Sequence, residues 1–386
     1  MTQAGSSKRV IGYLAGGNVD EHLLDRLDTA AGMLTHINYA FGVVGKDLRA
    51  TFDNPEVAIE RPFPGDGGGK DGLRGVLRQL QLLKERHPHL RTLISLGGWG
   101  GSWGFSEMAA TEEGRRAFVE SAIELFLLRW PGVFDGIDID WEYPVHGGLP
   151  ENGYRPEDKR NCTLLFEEFR RQMDELGENT AGEPYLLSAA IPAGRRLPLS
   201  TFEVREIAQI LDFVNLMTYD ISGSSASGIT NFNAALRTSS TDPRTDEDRL
   251  YLNVEGSVAA FLNEGVPREN LVVGMPFYGR GYSGVPDENN GLYQTFTGEV
   301  WADYRKIVTD YLPTYERFWH DEAGVPWLYN AETGIMLSYD DPEAVRGKAA
   351  FINQQQLGGA MFWELKCDDD DWSLLSAVAN ELKSRA

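Results

Sequence analysis

Asp138, Asp140 and Glu142 alternate with Ile137, Ile139 and Trp141 in the run Phe-Asp-Gly-Ile-Asp-Ile-Asp-Trp-Glu-Tyr-Pro from Phe134 to Pro144. In a strand, side chains two apart share a face, with Cβ atoms roughly 6.5–7 Å apart. Three carboxyls then project one way while two isoleucines and a tryptophan project the other. Carboxylates this close in a partly dry site cannot all ionise cheaply, so at least one pKa should rise. A carboxyl that holds its proton near neutral pH is what general acid catalysis requires. Two other readings compete: a solvated acidic edge strand and a cation site. Hard cations usually draw oxygen ligands from turning loops, whereas here an apolar row backs the acids. Asp135 has the opposite parity and reads as structural support.

Eight short apolar segments could hold such a strand in place: Arg9–Leu14, His36–Phe41, Arg91–Leu96, Phe134–Asp140, Tyr185–Ala190, Asp212–Met217, Leu271–Pro276 and Gly358–Glu364. Continuous apolar runs of this length suit buried parallel strands. Helical patterns fall between most of them. Thr111 can cap a helix to Trp130, with Phe118, Ala122, Leu125 and Phe126 on one face. Pro156 precedes a second, carrying Leu165, Phe169, Met173 and Leu176 and stopped by Gly177. Asp341-Pro342 opens a third, running to about Gln356. Strand–helix units in this number predict an α/β fold, a (β/α)8 TIM barrel. A doubly wound open sheet is the competitor, but no GxGxxG follows the first strand.

Two stretches depart from the repeat. Gly42–Lys70, ending in Pro62-Phe-Pro-Gly-Asp-Gly-Gly-Gly69, is too long for an ordinary connection. Tyr282–Met336 separates the seventh strand from its helix. It reads as a small α+β insertion, with a helix over Trp301–Tyr311 and strands near Tyr315–His320 and Val325–Tyr329. The expected domains are therefore a barrel over 1–281 and 337–386 and an insertion module over 282–336.

The chain has 386 residues, 36 basic and 58 acidic, for a formal net charge of -22. That balance disfavours nucleic acid and anionic membrane surfaces. A hydrophobic content of 42 % and a mean hydropathy of -0.34 describe a soluble globular protein. Cys162 and Cys367 form no CxxC pair, and two free thiols are expected. The six histidines show no HExxH, and no metal is expected. No run is long enough for a membrane span. Met-Thr-Gln-Ala-Gly-Ser-Ser-Lys lacks the apolar core of a signal peptide, which leaves a cytoplasmic location open.

Barrel chemistry sits where strands end and the following loops begin. The ends read Tyr13, Phe41, Ser95-Leu-Gly-Gly-Trp99, Glu142, Met217-Thr-Tyr-Asp220, Met275-Pro-Phe-Tyr-Gly-Arg280 and Met361-Phe-Trp-Glu364. Aromatic faces beside hydrogen-bonding groups suit pyranose rings, which have C–H faces and polar rims. Gly97 and Gly98 permit close approach of backbone or ligand.

These motifs resemble those of glycoside hydrolase family 18, the chitinase family. Asp135-x-x-Asp138-x-Asp140-x-Glu142 looks like its DxxDxDxE signature. Ser95-x-Gly97-Gly98 and Met217-x-Tyr219-Asp220 resemble its third- and sixth-strand motifs, and the similarity runs from about Val10 to Trp372. The resemblance implies a hydrolase: retaining, substrate-assisted cleavage of β-1,4 linkages between N-acetylglucosamine units in chitin and chitooligosaccharides. It implies Glu142 as acid and then base. Asp140 would stabilise an oxazolinium ion formed by the substrate's acetamido group, Asp138 would share a proton or hydrogen bond with Asp140, and Tyr219 would bond the acetamido oxygen. Trp363 would floor the subsite of the reacting sugar. Sugar contacts are implied at Tyr13, Phe41, Trp99, Met217, Asp220, Tyr278 and Arg280. No cofactor, an extracellular monomer and no nucleic-acid or membrane partner are also implied. Two alternatives stay open: a catalytically silent chitooligosaccharide-binding protein, and an endo-β-N-acetylglucosaminidase acting on N-glycans or peptidoglycan.

Overall fold

The structure, a computed structural model, describes residues 8–67, 72–178, 184–221 and 228–383. Met1–Ser7, read above for a leader, and Gly68, Gly69 and Lys70 of the glycine-rich tract lie outside the described residues. All eight apolar segments are strands: β1 (Arg9–Ala15), β2 (His36–Val44), β4 (Arg91–Gly97), β5 (Gly136–Asp140), β6 (Leu186–Pro192), β7 (Phe213–Met217), β8 (Leu271–Pro276) and β14 (Gly359–Trp363). Ile11, Ile37, Leu93, Ile94, Ile137, Leu187, Phe213, Val272 and Ala360 are among their fully buried residues. Burial on both faces explains why these strands are apolar without alternation.

The strand order is β1-β14-β8-β7-β6-β5-β4-β2, with β1 also paired to β2, and the fold is a (β/α)8 barrel. A short strand, β3 (Ala50–Phe52), pairs antiparallel with β2. The long connection after the second strand thus begins as a β-hairpin, because β2 continues past Phe41 to Val44.

By packing, the chain divides into two compact units, one mainly residues 216–383 and the other residues 13–191 with 196–215. In the second unit, β5 is parallel to β4 with Asp138 opposite Ser95, and parallel to β6 with Asp138 opposite Ser188. The Thr111 hydroxyl caps the helix Glu112–Ala122 by accepting from the Gly114 N–H at 3.0 Å. This helix relaxes into a wider turn over Ile123–Leu128 and stops short of Trp130. The helix Asp158–Glu178 buries Leu165, Phe169 and Met173 and continues through Gly177. A helix glycine costs only about 1 kcal/mol, which packing of the buried face readily offsets.

In the first unit, a five-stranded antiparallel sheet has the order β10-β9-β13-β12-β11, from β9 (Tyr278–Ser283), β10 (Gly298–Asp303), β11 (Glu316–His320), β12 (Val325–Asn330) and β13 (Ile335–Ser338). Its core gathers Tyr282, Val285, Leu292, Val325, Trp327, Tyr329 and Met336, and includes Phe232 and Ala235 from outside the 282–336 stretch. Trp301 lies in β10, not at the start of a helix, and helical turns begin only at Tyr304. We therefore propose that the module starts at Tyr278 and ends at Ser338. Asp341 caps the helix Pro342–Gln355. In its second turn Lys348 donates to Asp340, with both side chains fully buried.

Removing one member of a fully buried ion pair leaves a charge without compensation, at a cost of about 3–5 kcal/mol. Lys348→Met is expected to destabilise the protein by roughly that amount in urea unfolding. Adding Asp340→Leu should recover most of the loss. A single variant as stable as the wild type would contradict this account.

Candidate active site

The carboxyl row is buried, which excludes the solvated edge strand. Asp138 is 0 %, Asp140 4 % and Glu142 9 % exposed, and on the opposite face Ile137, Ile139 and Trp141 are buried as well. Phe105 stacks on Trp141 with ring centroids 5.1 Å apart. The regular strand ends at Asp140, so Glu142 occupies the first residues of the loop.

Each Asp138 oxygen has two donors. Oδ2 accepts from the Tyr13 hydroxyl at 2.7 Å and the Ser95 hydroxyl at 2.8 Å. Oδ1 accepts from the Ser188 hydroxyl at 2.6 Å and the Asn215 amide at 3.2 Å. Tyr13, expected as a sugar contact, is 1 % exposed and instead holds Asp138. The reason is that β1 runs on to Ala15, so Tyr13 lies within the strand and not at its end. Asp138 gives Asp140 no hydrogen bond among the described residues, so the expected sharing is not present in this geometry.

Asp140 and Glu142 are fixed through their backbone. The Gly98 N–H donates to the Asp140 carbonyl at 2.8 Å. Gly97 has φ of 115° and a Cβ there would stand 2.2 Å from that carbonyl oxygen; Gly98 has φ of 81° and a Cβ would meet the Phe41 ring at 2.5 Å. Only glycine accepts such a φ together with that approach. The Ser102 hydroxyl donates to the Gly98 carbonyl at 2.9 Å and accepts from the Glu142 N–H at 2.9 Å. Asn152 donates its amide to the Glu142 carbonyl at 2.9 Å. Asp135 accepts from Lys84 at 2.6 Å and from the Thr92 N–H at 2.8 Å, a structural anchor at the start of the strand.

The rise in pKa expected from crowded carboxyls falls on Asp140. Burial, then the charges of Glu142 and Asp138, push it well above the ordinary carboxylate value. Its Oδ1 is buried and has no hydrogen-bond partner. Burial also raises Asp138, while the bonds from Ser188, Tyr13, Ser95 and Asn215 oppose that rise. With four donors aimed at it, Asp138 is easier to ionise than Asp140.

In the other unit, Asp220 adopts the left-handed conformation (φ 57°). Its carboxylate accepts from the Tyr278 hydroxyl at 2.7 Å and from Arg280 Nε at 2.5 Å. The Tyr219 ring meets Tyr278 edge-on at 6.2 Å, and its hydroxyl donates to the Met361 sulfur at 3.7 Å. Met217 is buried at the end of β7, and Trp363 is half-buried at the end of β14, in register with Pro276. Trp99, in the unit with the carboxyls, is 49 % exposed and lies edge-on to Tyr143 at 6.3 Å.

Residues 9–368 match the family described as Glycosyl hydrolases family 18. The chain belongs to that family. Chitinase A1 of Niallia circulans is 37 % identical over 99 % of this chain, which spans 59 % of that relative's length. Among solved structures, chitinase ChiA74 from Bacillus thuringiensis has a TM-score of 0.89 at 33 % identity, covering 98 % of this chain and 70 % of that one. A family 18 N-acetylglucosaminidase from Paenibacillus barengoltzii has a TM-score of 0.81 at 34 % identity, covering 97 % of this chain and 99 % of that one.

Ser102, Asn152, Ser188 and Asn215 also hold the carboxyl row by hydrogen bonds and were not singled out from the sequence. Ser188 and Asn215 carry a legible signal: each is a polar residue inside an otherwise apolar strand. Ser102 and Asn152 act on backbone from loops and carry none.

A carboxyl with a raised folded-state pKa stabilises the fold fully below its unfolded value and loses that contribution as pH rises through the folded value. Replacing Asp140 by Asn removes a penalty that grows with pH from about 4 upward. The melting temperature of Asp140→Asn relative to wild type should therefore be higher at pH 8 than at pH 4. A difference that does not change with pH, or that reverses, would contradict the assignment.

Proposed function

We propose that the protein is a chitinase that hydrolyses β-1,4 linkages between N-acetylglucosamine units with retention, using the substrate's acetamido group as nucleophile. One observation carries this reading: a buried Asp140 whose pKa is raised well above the ordinary carboxylate value by burial and by two neighbouring carboxyls, and which has an oxygen with no partner. An acetamido N–H is a group that such an oxygen can receive.

In this reading Glu142 protonates the glycosidic oxygen, and the acetamido carbonyl oxygen attacks C1 as the C1–O bond breaks. The nucleophile is already tethered, so little association entropy opposes the attack. Asp140 turns toward the acetamido N–H and stabilises the oxazolinium ion, while Asp138, held by its four donors, supplies negative charge close by. Glu142 then takes a proton from water, which attacks C1 from the face the leaving group left. Tyr219 bonds the acetamido oxygen and Trp363 floors the reacting sugar. The likeness to chitinase A1 and ChiA74 supports chitin as substrate. Chitin is an insoluble polymer, which supports an extracellular site of action. The likeness to the N-acetylglucosaminidase supports a second reading, release of single sugars from chain ends.

Glu142→Gln is expected to lower kcat on chitotetraose by about 10²–10⁴-fold, with binding by calorimetry within about threefold of wild type because the amide keeps the shape of the carboxyl and loses only its transferable proton. Loss of binding, or activity above a tenth of wild type, would contradict the role. Product chromatography separates the readings: chitobiose marks a chitinase, N-acetylglucosamine from the start marks the second reading, and no product from the wild type marks a silent binder.

A further inference from the structure

Below the carboxyl row, the barrel interior carries a buried asparagine that the reaction described above does not use. Asn38, in β2, is 0 % exposed. Its neighbour Tyr39 points outward, against Phe134, which in turn meets Phe126 of the helical layer. Residues of the other parity, His36 and Asn38, therefore point into the barrel. In β7 the inward residues are Phe213 and Asn215, since the Asn215 amide reaches Asp138. β2 and β7 stand across the barrel from each other, four strands apart in the strand order. His36 and Phe213 nevertheless meet edge-on, with ring centroids 5.6 Å apart. Their side chains thus span the axis, and the next inward residues along the two strands, Asn38 and Asn215, share the level above them.

That level holds polar atoms without partners. Asn38 Nδ2, Asn38 Oδ1 and Asn215 Oδ1 are buried and make no hydrogen bond among the described residues. Asn215 directs its Nδ2 at Asp138, at 3.2 Å, and at the Tyr13 hydroxyl, at 3.4 Å. A buried polar group bears its full desolvation cost unless it is paired, so native interiors rarely leave one alone. The usual remedy is an internal water, which pairs with two to four polar groups. A donor on one asparagine facing an acceptor on the other is the complement that such a water needs. On the same face of β5, Gly136 contributes no side chain beneath Asp138.

We propose that Asn38 and Asn215 hold an internal water at the barrel axis, and that through it Asn38 positions Asn215 against Asp138. The water accepts from Asn38 Nδ2 and donates to Asn215 Oδ1. The Asn215 bond is the longest of the four at Asp138, so its amide gains most from a second hold. With Oδ1 tied to the water, the amide cannot turn its oxygen toward the carboxylate. Asn38 touches no reacting atom and is a positioning residue. Its effect on the reaction rests on the chitinase reading; the water does not.

The test joins crystallography to kinetics on three proteins: wild type, Asn38→Leu, which keeps the side-chain shape without polar atoms, and Asn38→Ser, which keeps a donor and an acceptor. High-resolution wild-type density should show a water oxygen about 2.7–3.2 Å from both amides, and Asn38→Leu density should show none. Asn38→Leu should lower kcat on chitotetraose about three- to tenfold, with KM within about twofold of wild type. The groups around Asp138 are the hydroxyls of Tyr13, Ser95 and Ser188, the Asn215 amide and the carboxyls of Asp140 and Glu142. Of these only the Asn215 bond is loosened, and that bond favours the charged form of Asp138. The acid limb of the pH profile should therefore move up by about 0.5–1 pH unit in Asn38→Leu, a shift that a merely structural role would not produce. Asn38→Ser should recover most of the loss. Wild-type density with the two amides bonded directly, or with nothing between them, overturns the proposal. So does an Asn38→Leu protein that matches wild type in kcat and acid limb, or an Asn38→Ser protein as impaired as the leucine variant. If Asn38→Leu does not fold, Asn38→Val carries the same expectations, and if neither folds the wild-type density decides. A wild type that shows the water but cleaves no chitotetraose overturns the chitinase reading and the positioning role with it, while the water stands.

Discussion

Three carboxyls buried on consecutive same-parity positions of β5 and the residue beyond it set the terms for everything around them. Charges this close in a poorly hydrated interior cannot all persist. The protein resolves the conflict by giving the two aspartates opposite surroundings. Asp138 receives four hydrogen bonds, whereas Asp140 has an oxygen that receives none. Asp140 is therefore the harder of the two to ionise. This asymmetry is the physical content of the alternating acid motif, and it leaves Asp140 with an oxygen that can accept a hydrogen bond.

Holding such a row demands precise backbone placement, and the neighbouring strand supplies it. Gly97 and Gly98 bring β4 so close to Asp140 that any side chain would collide with its carbonyl or with Phe41. Ser102 then links that turn to the Glu142 N–H. The glycine pair thus acts on the carboxyl row through main-chain contact, and need not touch substrate to matter. On the reverse face, Phe105 against Trp141 closes the core behind the acids.

Much of this was legible in the sequence because burial on both faces leaves an unmistakable apolar run. All eight barrel strands were visible for that reason, most within one or two residues of their bounds; β2, which runs on to Val44, is the exception. Parity along β5 likewise separated Asp135, tied to Lys84 and Thr92, from the reactive row. What was not legible involves either depth or distance. Tyr13 looked like a strand end, but the strand continues and the ring is buried. Trp301 looked helical because Tyr304–Tyr311 extends its pattern. Pairing with β9 instead makes the alternation of Glu299, Trp301 and Asp303 the operative period. Ser102 and Asn152 serve distant backbone from loops, a role that leaves no periodic trace.

The location of one proton is the claim on which the chemistry depends, and infrared spectroscopy reads it directly. At pH 7 the wild-type spectrum minus that of Asp140→Asn should show a protonated-carboxyl C=O stretch from a group shielded from solvent. Deuteration should move that band only slightly, and Asp138→Asn should alter it by changing the neighbouring charge. A difference spectrum with carboxylate bands alone at Asp140 would place the proton elsewhere and contradict the account.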